Sequence, residues 1–180
     1  MHHHKGKVSY LDSPERRNAL PPEEFLNMIP LKASDHILDF GAGTGYFSIP
    51  AAKITAGTVY ALDTDSSMLD IIRSKAAQEK LPNILPTDTF PPGQEAVDLV
   101  LASLVLHEID PLAPVLNLIQ KTLKTDGYLV CMELEPNSPS THKAPRITST
   151  QMEQTIVSAG MRITQKFHPL EKLYVIIAQK

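Results

Sequence analysis

A chain of 180 residues with 42% apolar and 21% charged residues has the size and balance of one soluble domain built on one core. Its net charge of −3 comes with scattered basic residues, so no cationic stripe points to a nucleic-acid partner. No stretch reaches the roughly 18 apolar residues of a membrane span. The opening MHHHKGKVSY has no apolar signal core, and the single cysteine, Cys131, allows no internal disulfide, which fits a reducing cytoplasm.

Residues 1–20 read as a polar arm ahead of one domain over 21–180. His2, His3 and His4, a tag remnant or a native cluster, diverge as adjacent side chains do, and no metal site is expected. Pro21-Pro22-Glu23-Glu24 opens a short helix, with proline in its first turn and acids at its positive end. Phe25, Leu26 and Ile29 form its apolar stripe and Pro30 ends it. Ile37, Leu38 and Phe40 then form a short apolar run that stops at Gly41, Gly43 and Gly45. This reads as a buried parallel strand, a glycine loop and a helix over Tyr46 to Ala56, closed by Gly57. Such a loop lets a ligand lie against bare backbone. A dinucleotide fingerprint needs a third glycine where this chain has Tyr46. The acid just ahead of the loop, Asp39, suits a ligand with an ammonium group better than a pyrophosphate.

Thr58 to Asp63 is the second strand, and its terminal Asp63 lies at the distance past the glycines from which an acid holds both hydroxyls of a ribose. Asp65 or Ser66 caps a helix to Lys80, with Leu69, Ile72 and Ala76 inward. A third strand over Asn83–Pro86 is edge-like because of its proline, and Thr87-Asp88-Thr89 follows it. Ala96 to Ala102 is the fourth strand, leading through Ser103 to His107. Asp110 and Pro111 are placed to start a helix whose face is Leu112, Val115, Leu116, Ile119 and Leu123. After a turn at Thr125-Asp126-Gly127 comes a fifth strand, Tyr128 to Leu134. On it, Glu133 and Glu135 do not read as a paired acid and base. Pro136 to Ile147 is a polar loop, and Thr148 or Ser149 caps a helix to Ala159. Arg162–Phe167 and Lys172–Ala178 are too close for a crossover and form an antiparallel hairpin.

Asp39-Phe40-Gly41-Ala42-Gly43-Thr44-Gly45 resembles the first motif of the class I S-adenosylmethionine-dependent methyltransferases. Tyr10-Leu11-Asp12-Ser13-Pro14-Glu15-Arg16-Arg17 resembles the leader of a group of small bacterial and archaeal methyltransferases, which implies that the arm either folds over the cofactor cleft or stays solvated. Asp63 with Thr64 to Leu69 resembles the second-strand stretch of the family, Thr87-Asp88-Thr89 its third motif, and Leu106-His107-Glu108-Ile109 is similar to the small-molecule carbon, oxygen and sulfur methylators. The resemblance spans about residues 10–178. It implies an α/β, doubly wound, Rossmann-like seven-stranded sheet, mostly parallel with a terminal antiparallel hairpin. It implies S-adenosyl-L-methionine as cofactor and S-adenosyl-L-homocysteine as product. Asp39, Gly41, Gly43, Gly45, Asp63, Thr64, Met68, Thr87, Asp88, Thr89 and Ser103 are the expected cofactor contacts, with Asp88 toward the adenine amino group and Met68 either on the adenine face or in the core. His107 is the candidate catalytic residue; Tyr10, His107, His142 and Arg146 are the candidate substrate contacts. The chain lacks the Asn/Asp-Pro-Pro-aromatic sequence of the planar-nitrogen methylators, so a small-molecule acceptor with an oxygen, sulfur or carbon nucleophile is expected, in the cytoplasm. The two competing readings are a methyltransferase-like binding module without turnover and an NAD-dependent oxidoreductase.

Overall fold

A computed structural model of the chain describes residues 14–136 and 145–180, except the side chain of Arg16. Tyr10, His142, His2–His4 and most of the proposed leader lie outside the described residues. The chain divides at Phe90 into two compact units.

The first unit holds helices α1 (Pro14–Ala19) and α2 (Pro22–Leu26), strand β1 (Ile37–Phe40), helix α3 (Ser48–Ile54), strand β2 (Val59–Leu62), helix α4 (Ser66–Glu79) and strand β3 (Ile84–Thr87). Three parallel strands pair in register, Ile37 with Val59 and Val59 with Ile84. All four residues of β1 are buried, as expected of a parallel strand covered on both faces. Helices α3 and α4 pack on β2 and β3, and α2 packs on α3, where the Phe25 and Phe47 ring centroids lie 5.3 Å apart. Each large side chain fully buried here, such as Leu38 or Ile72, contributes about 1.5–3 kcal/mol by leaving water. Asp65 caps α4 by accepting from Ser67 N at 3.0 Å, and Lys80, in the left-handed conformation (φ 57°), ends it. A Cβ on Gly57 would lie 2.2 Å from the carbonyl oxygen of Asp35, so only glycine lets α3 return closely into β2.

The second unit holds β4 (Val97–Ser103), a 3-10 turn (Leu106–Glu108), α5 (Ala113–Thr122), β5 (Leu123–Leu134), α6 (Ser149–Ser158), β6 (Arg162–Leu170) and β7 (Leu173–Gln179). β4 and β5 are parallel; β7 is antiparallel to both β5 and β6. The terminal hairpin is as the sequence predicts. Helix α6 starts with a capping box, Thr148 accepting from Gln151 N while Gln151 accepts from Thr148 N. The strand order of the seven-stranded sheet is β3-β2-β1-β4-β5-β7-β6. This is the expected doubly wound α/β sheet with an antiparallel end. Among the described residues no helix is long and apolar enough to cross a membrane.

Two local expectations are corrected. The predicted turn at Thr125–Gly127 lies inside β5 as a bulge: pairing jumps from Val97–Leu123 to Leu99–Tyr128, and Asp126 takes a left-handed φ of 64°. The bulge is fixed by Lys124 Nζ bonding Asp98 at 2.8 Å, and a Cβ on Gly127 would come within 3.0 Å of the Asp98 carbonyl. The helix expected to start at Asp110-Pro111 starts instead at Ala113, with Pro114 in its first turn. Both prolines suit a first turn, where the missing N–H is harmless, and the chain uses the second.

Candidate active site

Gly41, Gly43 and Gly45 have φ of 75°, 55° and 82°, a region that L side chains avoid, so the loop after β1 requires glycine at each. A Cβ on Gly45 would also press within 3.2 Å of Ile72 and 3.3 Å of Ile49, so this glycine lets α3 and α4 approach each other. Gly41 N and Ala42 N both donate to the Leu62 carbonyl at 2.9 Å, which ties the loop to the end of β2. Gly43 N donates to Asp63 Oδ2 at 2.8 Å, and Asp65 N donates to Asp63 Oδ1 at 2.9 Å. The half-buried Asp63 thus holds the middle of the glycine loop and the start of α4 with its two oxygens. Each oxygen retains acceptor capacity for a further donor, since an ionised carboxylate has about four lone-pair sites.

Asp39 is buried and accepts from Ser48 Oγ at 2.5 Å. It ties the start of the loop to the first residue of α3. Lys75 Nζ donates to the Thr44 carbonyl at 2.9 Å, a further tie from α4. Tyr46, the residue that breaks the dinucleotide fingerprint, donates its hydroxyl to the Leu20 carbonyl at 2.7 Å, and the Arg17 guanidinium lies 5.6 Å from its ring centroid. The segment entering from the arm is therefore anchored on the glycine loop.

Thr64 is exposed just past Asp63. At the end of β3, Asp88 and Thr89 are exposed and Thr87 is half-buried, its Oγ1 accepting from Thr89 N at 3.1 Å. Asp63 N donates to the Thr87 carbonyl at 3.1 Å, so these residues gather at the carboxyl ends of β2 and β3 with the glycine loop. Phe90 packs on Phe40 with centroids 5.6 Å apart. Of the two places expected for Met68 it takes the core: it is fully buried. With Leu69, Ile72 and Ala76 it forms the face of α4 turned to the sheet. The unit supplies three features that fit S-adenosylmethionine: a loop of bare backbone, a carboxylate for ribose hydroxyls and an exposed carboxylate, Asp88, for an adenine amino group.

In the second unit, Ser103 ends β4 and points its Oγ at Met132 Sδ, 3.5 Å away. Leu104 follows with φ 55°, held there by its N–H on the Met132 carbonyl at 2.8 Å. His107 is buried beside Glu133, its Nδ1 2.8 Å from Oε2 while its backbone N donates to Oε1 at 3.3 Å. With Glu133 ionised, Nδ1 carries the proton. Arg146 Nη1 lies 3.2 Å from His107 Nε2, 3.4 Å from Nδ1 and 3.7 Å from Glu133 Oε2. Nearly equidistant from both ring nitrogens, it lies against the imidazole face rather than along one lone pair. The outer neighbour is the exposed Glu108, 3.9 Å from Nε2. Tyr174, opposite Glu133 on β7, donates to the Ile147 carbonyl at 2.9 Å and so fastens the residue next to Arg146. Burial, followed by the neighbouring Cys131 and carboxylates, pushes the Tyr174 phenol far above its ordinary range; burial and then Glu133 push the Cys131 thiol up. Neither serves as a nucleophile at neutral pH. Among the described residues no group of three or more His, Cys, Asp or Glu is placed to hold a metal.

His107 and Arg146 thus lie in contact, and Glu133, which is not among the expected site residues, joins them. The signal for Glu133 was available: a carboxylate inside an apolar central strand needs a partner. The ties from Ser48, Lys75 and Tyr46 had no such signal.

A profile for a methyltransferase domain matches residues 38–131. A ribosomal protein L11 methyltransferase of Pelobacter propionicus is 33% identical over 112 residues, covering 60% of this chain but 35% of that protein. The chain therefore spans about a third of the curated relatives it matches. A crystal structure of a SAM-dependent methyltransferase from Aquifex aeolicus superposes with a TM-score of 0.85 at 22% identity, covering 97% of both chains. The [4+2]-cyclase SpnF superposes with a TM-score of 0.78 at 15% identity, covering 88% of this chain and 79% of its own. At these identities the likeness is one of fold.

Proposed function

The chain belongs to the methyltransferase domain family, the class I S-adenosylmethionine-dependent methyltransferases, and from that premise we propose that it transfers a methyl group to a small-molecule acceptor with an oxygen, sulfur or carbon nucleophile. The observation that carries the reading is Asp63, whose carboxylate fastens the glycine loop at Gly43 and keeps acceptor capacity for a ribose. When bound, S-adenosylmethionine supplies a methyl group already made electrophilic by a sulfonium, and S-adenosylhomocysteine is left as product. The protein's own part is to hold and align. Asp63 receives the ribose hydroxyls, Gly41 and Gly43 bring bare backbone to the ligand, and Thr64, Thr87, Asp88, Thr89 and Ser103 complete the contacts. His107 orients the acceptor: its Nδ1 proton is committed to Glu133 and its ring lies under Arg146, which favours orientation over proton abstraction. Residues 21–180 act as one cofactor-binding domain and 1–20 as an arm over the cofactor cleft, a reading supported by the bond from Tyr46 to Leu20 at the end of the arm. The family match supports a single domain because it crosses from one compact unit into the other. A cytoplasmic setting fits the one buried free thiol.

A protein acceptor is the second reading, favoured by the 33% identity to a ribosomal protein methyltransferase. The shared fold of a cyclase keeps a non-methylating role as the third. Calorimetry with S-adenosylmethionine, then transfer of labelled methyl to thiols, phenols, quinones and ribosomal proteins, separates them. Saturable 1:1 binding with label in a small acceptor is expected; label in protein alone, or binding with no transfer, selects the second or third reading.

A further inference from the structure

Arg146 presents a donor edge that its own cluster does not use. Among the described residues its polar contacts all run through Nη1, to His107 and Glu133. Nε and Nη2 carry no hydrogen bond to a described residue, and the side chain as a whole is 13% exposed. Together they form the side-on fork of the guanidinium, which matches the two oxygens of a carboxylate with two parallel N–H···O bonds. The fork is held in advance. Glu133, with its side chain 1% exposed, fixes His107 from both its backbone N and Nδ1, and the ring supports Nη1. On the other side, Tyr174 anchors the carbonyl of Ile147. A guanidinium whose rotamer is set before binding loses less entropy when an anion arrives.

We propose that the Nε–Nη2 edge of Arg146 recognises a carboxylate on the methyl acceptor, with Glu133 as the positioning residue that aims it. This rests on the methyl-transfer reading for the identity of the ligand as acceptor; the binding site itself does not. A phosphate shares the oxyanion chemistry, and planarity separates the two. The buried Glu133 offsets the guanidinium charge, so what remains is a directed pair of donors more than a bare positive field, and this favours the flat, singly charged carboxylate.

The test follows the Arg146 Nε–H resonance by NMR in the full chain while acetate, benzoate, succinate or inorganic phosphate is titrated. Saturable shifts with a carboxylate at lower concentration than with phosphate are expected. Arg146→Gln should abolish them. Arg146→Lys, read through the neighbouring Ile147 amide, should weaken them at least tenfold, since it keeps the charge and loses the fork. Shifts with none of the four, or carboxylate binding that persists in Arg146→Gln, overturn the proposal; tighter binding of phosphate overturns the carboxylate assignment. Calorimetry with S-adenosylmethionine on the same samples separates the two readings. Carboxylate binding without cofactor binding leaves this site standing and removes the methyltransferase function. Cofactor binding without carboxylate binding does the reverse.

Discussion

Replacing Asp63 removes three things at once: the acceptor for Gly43 N, the acceptor for Asp65 N, and the charged partner proposed for the ribose. A hydrogen bond to a charged group is worth about 1.5–3 kcal/mol net, and the half-buried position argues for the lower end. One such bond lost corresponds to about tenfold in affinity, and two to about a hundredfold. Asp63→Ala should therefore weaken S-adenosylmethionine binding between ten- and a hundredfold. Asp63→Asn should do nearly as much damage, for a reason specific to this geometry. Both carboxylate oxygens accept from backbone N–H groups, so either orientation of an asparagine turns its amide donor toward another donor. Losing the two backbone ties to the same carboxylate should also cost about 3 kcal/mol of stability, a fall in Tm of about 6–12 °C for a chain of this size. Calorimetry with S-adenosylmethionine and S-adenosylhomocysteine, with circular dichroism to confirm folding, reads both effects. Unchanged affinity in folded Asp63→Ala would refute the assignment of Asp63 to the ribose, and full affinity in Asp63→Asn would refute the donor-conflict argument.

Gly43→Val forces a β-branched residue to φ 55°, in a loop whose backbone is proposed to touch the ligand, and should abolish cofactor binding while circular dichroism remains that of a folded domain; normal binding would move the cofactor elsewhere. Glu133→Ala leaves the buried His107 and the half-buried Arg146 without their carboxylate and should cost about 3–5 kcal/mol, seen as a large fall in urea midpoint, whereas a shift below about 1 kcal/mol would mean that the cluster holds nothing together. Gly57→Ala puts a methyl group 2.2 Å from a backbone oxygen and should cost about 1–3 kcal/mol in the same assay, with no effect on the second unit's oxyanion titration. His107→Ala should lower turnover on the identified acceptor and leave S-adenosylmethionine affinity nearly constant; wild-type turnover would remove His107 from the site.

Legibility in the sequence followed the range of the interaction. The unit from β1 through the glycine loop to α3 was readable because every signal in it is local: an apolar run, glycines at fixed spacing, a helical stripe. The position of Asp63 beside the glycine loop was readable for the same reason, since its distance from the loop follows from one helix and one strand. The hairpin of β6 and β7 could be read because two extended runs with almost nothing between them cannot cross over. The Glu133–His107–Arg146 cluster was only half legible. Its members are separated by 26 and 13 residues, and nothing local to Glu133 says which side chain answers it. Met68 read equally as a ligand contact or as core, because its burial depends on what packs from outside the segment. The bulge at Asp126 looked like a turn because Thr-Asp-Gly has turn chemistry in either setting.

The most direct test of the account is transfer of labelled methyl from S-adenosylmethionine to a panel of small acceptors that carry a carboxylate, run beside the same acceptors as methyl esters and beside ribosomal proteins. The account predicts label in at least one free acid, at least tenfold less in its ester, and none with Asp63→Ala. Label confined to protein, or no label anywhere from a chain that binds the cofactor, would contradict it.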